Sequence, residues 1–308
     1  MTSGPVIITG AGGFVCSGLA LGCAEAGHEV IAIDRAFDGP PGHAGIRRIR
    51  ADLAAGLEGL DLPRPGAVIH GAALTAEPET LGISVAGHLR ANLSLHLGCL
   101  DWARSAGADR FLFLSSMGVF APSDGQGQAV LTEADAARGT GPYRTAKKTG
   151  EAITAAAAES GFATLSLRLG NVFGPGERPR PSRPWLSLVG RMIAQGRSDG
   201  GRISPGSGRN LREWMWLPDL AAGIADLLGQ MPTLGGVLHA GTPPVLSDYD
   251  LAQQVATRIP GATVDTDSPA GPPSRPPMAS ARATVLGDID WTPIGDALDR
   301  LLATEGKA

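Results

Sequence analysis

Residues 9–18 read TGAGGFVCSG, a glycine-dense turn that follows the apolar run VII at positions 6–8. A buried strand that leads into such a turn and then into an apolar helix is typical of the first unit of a dinucleotide-binding βαβ fold. Backbone N–H groups at the helix start point outward, and the helix dipole favours anions there. Gly10 and Gly13 would therefore let a pyrophosphate approach the backbone. Cys16 replaces the third glycine of the fingerprint, which weakens the motif without excluding it.

The composition of the whole chain indicates a globular protein that acts on small molecules. Its 308 residues are 43% hydrophobic, enough for a large buried core. A formal net charge of −4 argues against nucleic acid or an anionic membrane as the main partner. No run of about 20 apolar residues is present, so we predict no membrane-spanning helix and take the cytoplasm as the default location. The three cysteines lack CxxC spacing and the six histidines lack an HExxH pattern, so we predict no disulfide and no metal site.

Short apolar runs alternate with helix-like stretches over the first half of the chain. The runs are PVIIT, EVIAI, AVIH, RFLFLSS and TLSLRL. Strands that alternate with helices indicate an α/β fold with a doubly wound parallel sheet of the Rossmann type. After Gly170 the chain becomes rich in Pro and Arg, as in GPGERPRPSRPW. We therefore predict a nucleotide-binding domain over 1–169 and a smaller, mainly substrate-binding lobe over 170–308, of which about 213–240 returns to pack on the first domain.

Asp34 ends the second predicted strand, EVIAID, about 20 residues past the glycine turn. At that place a carboxylate accepts hydrogen bonds from both ribose hydroxyls of an adenosine and repels a 2′-phosphate. The neighbouring Arg35 offsets part of this repulsion. The pattern favours NAD over NADP as the cofactor.

Tyr143 and Lys147 stand four residues apart in GPYRTAKKTGE, on one face of a predicted helix. A phenol with an ordinary pKa near 10 is a poor base at neutral pH, and an ammonium one turn away favours the phenolate. Ser116 ends the predicted strand RFLFLSS, where ligands of open α/β sheets bind, and its hydroxyl would hold a substrate oxygen beside the phenol. The three side chains predict an acid/base site for a hydroxyl or keto substrate.

Taken in order and spacing, a set of motifs resembles the extended short-chain dehydrogenase/reductase family, the group of NAD-dependent sugar epimerases and dehydratases. The resemblance covers nearly the whole chain. It implies a Rossmann domain with a C-terminal substrate lobe, NAD as cofactor, and hydride transfer at a sugar carbon. The motifs are TGAGGFVCSGL at 9–19, Asp34, ADL at 51–53, HGAA at 70–73, SSMGVFA at 115–121, YRTAK at 143–147, LRLGNVFGPG at 167–176 and LREWMWLPDLA at 211–221.

The resemblance also implies roles for individual residues. Tyr143 is the acid/base, Lys147 lowers its pKa and holds the nicotinamide ribose, and Ser116 orients the substrate. Asn171 and Arg212 match positions that contact the substrate phosphates in relatives acting on nucleotide sugars. The positions that the resemblance assigns to the cofactor are Gly10, Gly13, Phe14, Asp34, Asp52, Leu53, Ala72, Asn92, Tyr143 and Lys147.

Two departures from the family pattern bear on the reaction. Met117 and Gly118 follow Ser116 where nucleotide-sugar dehydratases carry an Asp-Glu pair, so 4,6-dehydration is disfavoured. Phe120 replaces the tyrosine of the VYG turn and lacks its hydroxyl. An epimerase that recycles NADH internally and a dehydrogenase that releases it both stay open. A nucleotide-sensing regulator without chemistry is the alternative, which the Tyr and Lys pair disfavours.

The expected partners are a carbohydrate and a second copy of the chain. The substrate class stays open between a nucleotide sugar, a free sugar and a sugar acid. Arg178 lies with Arg180 and Arg183 in the loop after NVFGPG, and guanidinium groups bind phosphate or carboxylate oxygens in pairs. We therefore place Arg178 among the predicted substrate-binding residues. The family's habit of pairing two helices per subunit implies a homodimer, here through 86–106 and 142–160.

Overall fold

A computed structural model describes residues 3–38, 42–206, 208–266 and 274–305 of the chain. In chain order, its strands are β1 Val6–Thr9, β2 Val30–Asp34, β3 Ile46–Arg50, β4 Ala67–His70, β5 Arg110–Ser116, β6 Ala163–Leu169, β7 Asn171–Phe173, β8 Arg202–Ile203, β9 Leu211–Trp216, β10 Val237–His239, β11 Val245–Ser247 and β12 Thr263–Val264. Its α-helices are α1 Phe14–Glu25, α2 Pro78–Leu81, α3 Val85–Ser105, α4 Pro142–Ala156, α5 Leu188–Arg197, α6 Leu217–Gln230, α7 Asp248–Ala256 and α8 Ile294–Glu305. One-turn 3-10 helices span Leu53–Ala55, Met117–Val119 and Met231–Thr233.

The main sheet has seven parallel strands in the order β10-β6-β5-β4-β1-β2-β3. Strand β1 pairs with β2 on one side and with β4 on the other, so the winding direction reverses between β1 and β4. This order is the doubly wound Rossmann arrangement, and it confirms the predicted fold class. Ligands of such sheets bind at the carboxyl ends of the strands next to the reversal, which here are Thr9 and His70.

Helix α1 lies close against α6 on one face of the sheet because two glycines remove the side chains between them. A methyl group at Gly18 would lie 2.5 Å from the Leu217 side chain, and one at Gly22 would lie 2.6 Å from that of Ala221. Both helices contribute buried apolar residues to one core with the strands beneath them. Helix α6 therefore packs on the N-terminal domain, although it directly follows β9 of the C-terminal lobe in the chain.

Helices α3 and α4 contact each other and cover the opposite face of the sheet. Ser84 caps α3 by accepting a hydrogen bond from the N–H of Gly87 at 3.0 Å. Pro142 stands at the start of α4, where its missing N–H costs no helical hydrogen bond. Gly150 lets α4 approach β5, since a methyl group there would lie 2.7 Å from the Phe113 ring. The first turn of α4 is thereby held next to the carboxyl end of β5.

The chain beyond Gly170 builds most of a smaller lobe. Strand β9 pairs in parallel with β7 and antiparallel with β11, while β8 pairs with β12. Helices α5, α7 and α8 share a second core with Phe173, Trp214 and Trp216. Since β7 begins two residues after β6 ends, the lobe is attached at the carboxyl edge of the main sheet. Among the described helices, none is both long and apolar enough to cross a membrane.

Candidate active site

A cavity of about 400 Å³ opens at the carboxyl ends of β1, β2 and β4. Dinucleotides bind at this place in doubly wound sheets. Tyr143, Lys147 and Asn92 are not among the described residues that line the cavity. The residues that do line it include most of those that the sequence assigned to the cofactor, namely Gly10, Gly13, Phe14, Asp34, Asp52, Leu53 and Ala72.

The glycine turn leaves space that a side chain would fill. Gly10 has a φ of +74°, and a methyl group there would lie 2.6 Å from the backbone nitrogen of Ala72. A methyl group at Gly12 would lie 2.0 Å from the carbonyl oxygen of Ala36. Helix α1 begins at Phe14 on the cavity wall, and the first N–H groups of a helix have no intrahelical acceptor. The turn therefore fits a diphosphate, which needs close backbone approach and N–H donors.

Cys16 is accommodated in this turn because a glycine stands opposite it. The cysteine is buried, and a methyl group at Gly71 would lie 2.2 Å from its Sγ. Gly71 thus makes the room that a third fingerprint glycine would otherwise provide. Burial raises the pKa of Cys16 to about 12, so the thiol stays protonated at neutral pH and is not a nucleophile.

Asp34 joins the end of β2 to the glycine turn. Its Oδ2 accepts a hydrogen bond from the N–H of Gly12 at 2.9 Å, and the half-buried carboxylate lines the cavity. A carboxylate has room for several donors, so ribose hydroxyls have an acceptor here. Asp52, on the same cavity, accepts the N–H of Ala54 at 3.1 Å and caps the short helix Leu53–Ala55. Both carboxylates therefore lie on the cavity beside the glycine turn.

Asn92 shapes the cavity from behind its wall. Its Oδ1 accepts the N–H of Leu74 at 2.9 Å, and its Nδ2 donates to the carbonyl of Leu74 at 3.2 Å. Residues 71–75 form part of the cavity lining. Where the sequence assigned Asn92 to the cofactor, the structure shows its amide engaged in positioning the loop after β4.

Ser116, Tyr143 and Lys147 meet where β5 ends and α4 begins. The Ser116 hydroxyl accepts the N–H of Gly118 at 3.0 Å and is close enough to Tyr143 to affect the pKa of its phenol. A methyl group at Gly118 would lie 3.3 Å from Ser116 Oγ and 3.6 Å from the Tyr143 ring. Lys147 Nζ donates to the carbonyl of Leu114 at 2.7 Å and lies 5.7 Å from the centre of the Tyr143 ring. The structure therefore brings together the three predicted catalytic side chains.

Burial is the main influence on the protonation of this centre. Burial raises the pKa of Tyr143, while the hydrogen bond from Ser116 and the charge of Arg183 lower it. Burial also lowers the pKa of Lys147 to about 8, against the opposing effects of Cys16 and Glu151. The sequence predicted that Lys147 lowers the phenol pKa. In the structure burial outweighs the lowering effects, which come from Ser116 and Arg183, so the pKa of Tyr143 is raised.

A buried charged network lies next to the catalytic side chains and was not predicted. The Arg168 guanidinium binds Glu151 with two hydrogen bonds of 2.8 Å, and the Ser115 hydroxyl donates to the same carboxylate at 2.5 Å. Glu151 is one turn beyond Lys147 in α4, so the network ties α4 to β5 and β6. An arginine within the apolar strand TLSLRL is the sequence signal that could have revealed it, because a buried charge requires a partner.

The predicted substrate residues lie in different surroundings. Asn171 begins β7 beside Trp214 of β9, and its Nδ2 is a buried donor without an acceptor among the described residues. Arg212 binds Asp248 through Nε at 2.7 Å and Nη2 at 3.1 Å. Arg178 lines the cavity that holds the glycine turn. Asn171 and Arg212 thus belong to the lobe, whereas Arg178 lies on the side predicted for the cofactor.

An ion pair from the C-terminal part of the chain adjoins Ser116 and was not predicted. Arg275 Nη2 lies 2.6 Å from Oε1 of the fully buried Glu213 and 2.8 Å from Sδ of Met117. Glu213 also accepts the N–H of Met278 at 3.1 Å. Met117, the residue after Ser116, therefore packs against Arg275, whose charge is already paired with Glu213. No local sequence pattern links residues 62 positions apart.

Comparisons with known proteins agree with this arrangement. The model of the NAD-dependent epimerase/dehydratase family matches residues 6–236. A Bacillus subtilis (strain 168) relative, described as the uncharacterized UDP-glucose epimerase YtcB, is 26% identical over 299 residues, covering 87% of each chain. The solved structure of MoeE5 in complex with UDP-glucose and NAD is similar at a TM-score of 0.76 and 24% identity, over 99% of both chains. The UDP-glucose 4-epimerase of Thermus thermophilus in complex with NAD has a TM-score of 0.73 at 22% identity, over 97% of this chain and 99% of that one.

Proposed function

This chain belongs to the NAD-dependent epimerase/dehydratase family, and we propose that it oxidises a hydroxyl group of a nucleotide-linked sugar at a centre formed by Ser116, Tyr143 and Lys147. The observation that carries the proposal is the close placement of Ser116 and Tyr143 around Gly118, at the same strand edge as a cavity shaped for a dinucleotide. The family match also confirms the family predicted from the motifs.

The residues around the cavity fit NAD. The glycine turn and the start of α1 would hold its diphosphate, and Asp34 would accept hydrogen bonds from the adenosine ribose. The same carboxylate would repel a 2′-phosphate, which supports NAD rather than NADP. NAD, when bound, supplies the two-electron acceptor for oxidation of the sugar.

The side chains of the chain itself supply the proton chemistry. Tyr143 takes the proton of the substrate hydroxyl and returns it when the ketone is reduced. Ser116 holds the substrate oxygen beside the phenol. Lys147 adds a positive charge near the phenol, fixed in place by its hydrogen bond to Leu114. Since burial lowers the pKa of Lys147 to about 8, this charge is present at neutral pH and is lost in mildly alkaline solution.

A nucleotide sugar is the proposed substrate because the lobe carries an unused donor where a phosphate would bind. The buried Nδ2 of Asn171 has no acceptor among the described residues, and such a group costs free energy unless a ligand pairs with it. Arg212 stands on the neighbouring strand β9. MoeE5 was solved with UDP-glucose, and the Thermus protein is a UDP-glucose 4-epimerase, which supports a substrate of this class.

The surroundings of Ser116 favour oxidation and reduction without loss of water. The side chains next to Ser116 are those of Met117 and of Arg275, which is paired with Glu213. Neither Met117 nor Arg275 is an acid, and elimination of water needs an acidic group. Epimerisation and net dehydrogenation then differ only in whether reduced cofactor leaves. A homodimer through α3 and α4 and a cytoplasmic location stay predictions.

The test is incubation of the purified protein with NAD and a panel of UDP-sugars, following NADH absorbance and the sugar isomers formed. We expect turnover of at least one UDP-sugar. Tyr143→Phe should lower the turnover rate by about 100-fold and leave NAD affinity nearly intact, because the phenol oxygen is lost while the residues that line the cavity are kept. Tyr249→Phe is the matched control, since this second tyrosine lies on α7 of the lobe. Tight NAD binding without turnover of any UDP-sugar would refute the proposal and favour the nucleotide-sensing regulator.

A further inference from the structure

Residues 178–183, with the sequence RPRPSR, line the same cavity as the glycine turn, and we name them the strap. Four of its side chains line the same cavity as Gly10 and Asp34, namely those of Arg178, Arg180, Ser182 and Arg183. The strap follows β7 and therefore comes from the start of the C-terminal lobe. It adds residues of the lobe to a cavity that is otherwise lined by residues 10–95.

The strap is attached to the Rossmann domain at two separate places. The carbonyl of Ser182 accepts hydrogen bonds from the Ala76 N–H and the Thr75 hydroxyl, each at 3.1 Å, in the loop after β4. At its other end, Arg180 Nη2 lies 2.6 Å from Oδ2 of Asp38, in the segment after β2. The strap thus bridges the loops that follow two strands of the main sheet.

The strap is also held in shape by its own backbone. Arg180 and Arg183 exchange two backbone hydrogen bonds, of 2.8 and 2.9 Å. Pro179 and Pro181 restrict the backbone between them, since proline fixes φ. A segment with restricted backbone loses less entropy when it closes on a ligand.

The charges of the strap complement a diphosphate. The glycine turn offers neutral N–H donors to the cavity, whereas the strap offers guanidinium groups to the same cavity. Arg183 is held by Glu177 at 3.0 Å, and Arg178 has no ion pair among the described residues. A dinucleotide between the two walls would therefore receive donors from the turn and positive charge from the strap.

We propose that the strap binds the diphosphate of the dinucleotide and slows release of the cofactor, with the ion pair of Arg180 and Asp38 fastening it. This inference rests on the proposed function and deepens it. A cofactor that stays bound through the catalytic cycle suits inversion of a sugar centre, in which oxidation is followed by reduction. It does not suit net dehydrogenation, in which each turnover must release NADH.

The test is the rate at which bound NADH leaves the protein, measured by its fluorescence after mixing with excess NAD. Asp38→Asn and Arg180→Gln should each speed release about two- to fivefold, the range for a partly exposed ion pair. The double variant should release no faster than the single ones, because both changes remove the same contact. Asp265→Asn is the matched control, since Asp265 also pairs with an arginine at 2.6 Å but lies in the lobe.

A second variant tests the charge on the strap. Arg178→Gln should weaken NADH binding and reduce the dependence of its affinity on salt, because one cation facing the diphosphate is lost. The strap proposal is overturned if the variants at positions 38, 178 and 180 match wild type in release rate and affinity. If no form binds NADH, the proposed function fails as well. If UDP-sugar turnover and NADH binding are intact and only the release rates are unchanged, the strap alone fails.

Discussion

Lys147→Met should make the protein without cofactor more stable at neutral pH. Lys147 is only 7% exposed, and burial lowers its pKa from 10.5 to about 8. The folded form therefore loses its proton before the unfolded form does as the pH rises. The destabilisation is fully present below pH 8 and is relieved as the pH rises towards 10.5. A methionine of similar length avoids it at every pH.

The size of the effect follows from the shift in pKa. A shift of this size corresponds to a penalty of about 3 kcal/mol at neutral pH. The variant also loses the hydrogen bond that Nζ donates to the carbonyl of Leu114, worth about 1 kcal/mol. The net gain in the free energy of unfolding should be about 2 kcal/mol. Between pH 7 and 9 the advantage of the variant should shrink by about 1 kcal/mol, as the wild-type lysine deprotonates.

Denaturant unfolding of both proteins at several pH values in this window measures the difference directly. Cys23 and Cys99 also affect stability in alkaline solution, because burial raises the pKa of each to about 12, but they do so equally in both proteins. Cys16 interacts with Lys147, and its pKa of about 12 keeps it protonated in the folded protein between pH 7 and 9. Lys148→Met is the control, since Lys148 is less buried on the same helix. A stability difference between Lys147→Met and wild type that does not change with pH would refute the reasoning.

Replacing Asp34 by alanine should raise the ratio of NADP to NAD affinity by about tenfold, because the carboxylate that faces the cavity and accepts the Gly12 N–H is lost. Titration with both nucleotides measures the ratio, and an unaltered ratio would show that Asp34 does not set the preference. Gly118→Ala should lower turnover about tenfold with little change in melting temperature, because the new methyl group would lie 3.3 Å from Ser116 Oγ and displace that hydroxyl. Wild-type turnover in this variant would contradict the placement of Ser116 beside the substrate.

The sequence predicted those parts of the site that depend on neighbours within one element. The glycine turn between β1 and α1, Asp34 at the end of β2, and Tyr143 one turn before Lys147 all lie where the patterns place them. Each is set by the geometry of a single strand, turn or helix, which repeats at a fixed period along the chain. The alternation of apolar runs and helices predicted the sheet for the same reason.

Contacts between distant parts of the chain could not be predicted in this way. Arg178 lines the same cavity as the glycine turn because the chain after β7 returns to the Rossmann domain, and Asn92 binds Leu74 because α3 packs beside the loop after β4. At both positions the residue type, an arginine and an asparagine, was visible in the sequence. The groups that each side chain contacts depend on how separate helices, strands and loops pack together.

The amino-acid sequence by itself determined the α/β class, the family and the glycine turn, because short-range geometry and residue chemistry suffice for these. Only the tertiary structure decided that Arg180 meets Asp38, 142 positions away, and that Glu213 is paired by Arg275 next to Met117. It also decided that burial, rather than a neighbouring charge, is the largest influence on the pKa of Tyr143. Burial and long-range pairing arise when elements pack together, so no local pattern in the chain encodes them.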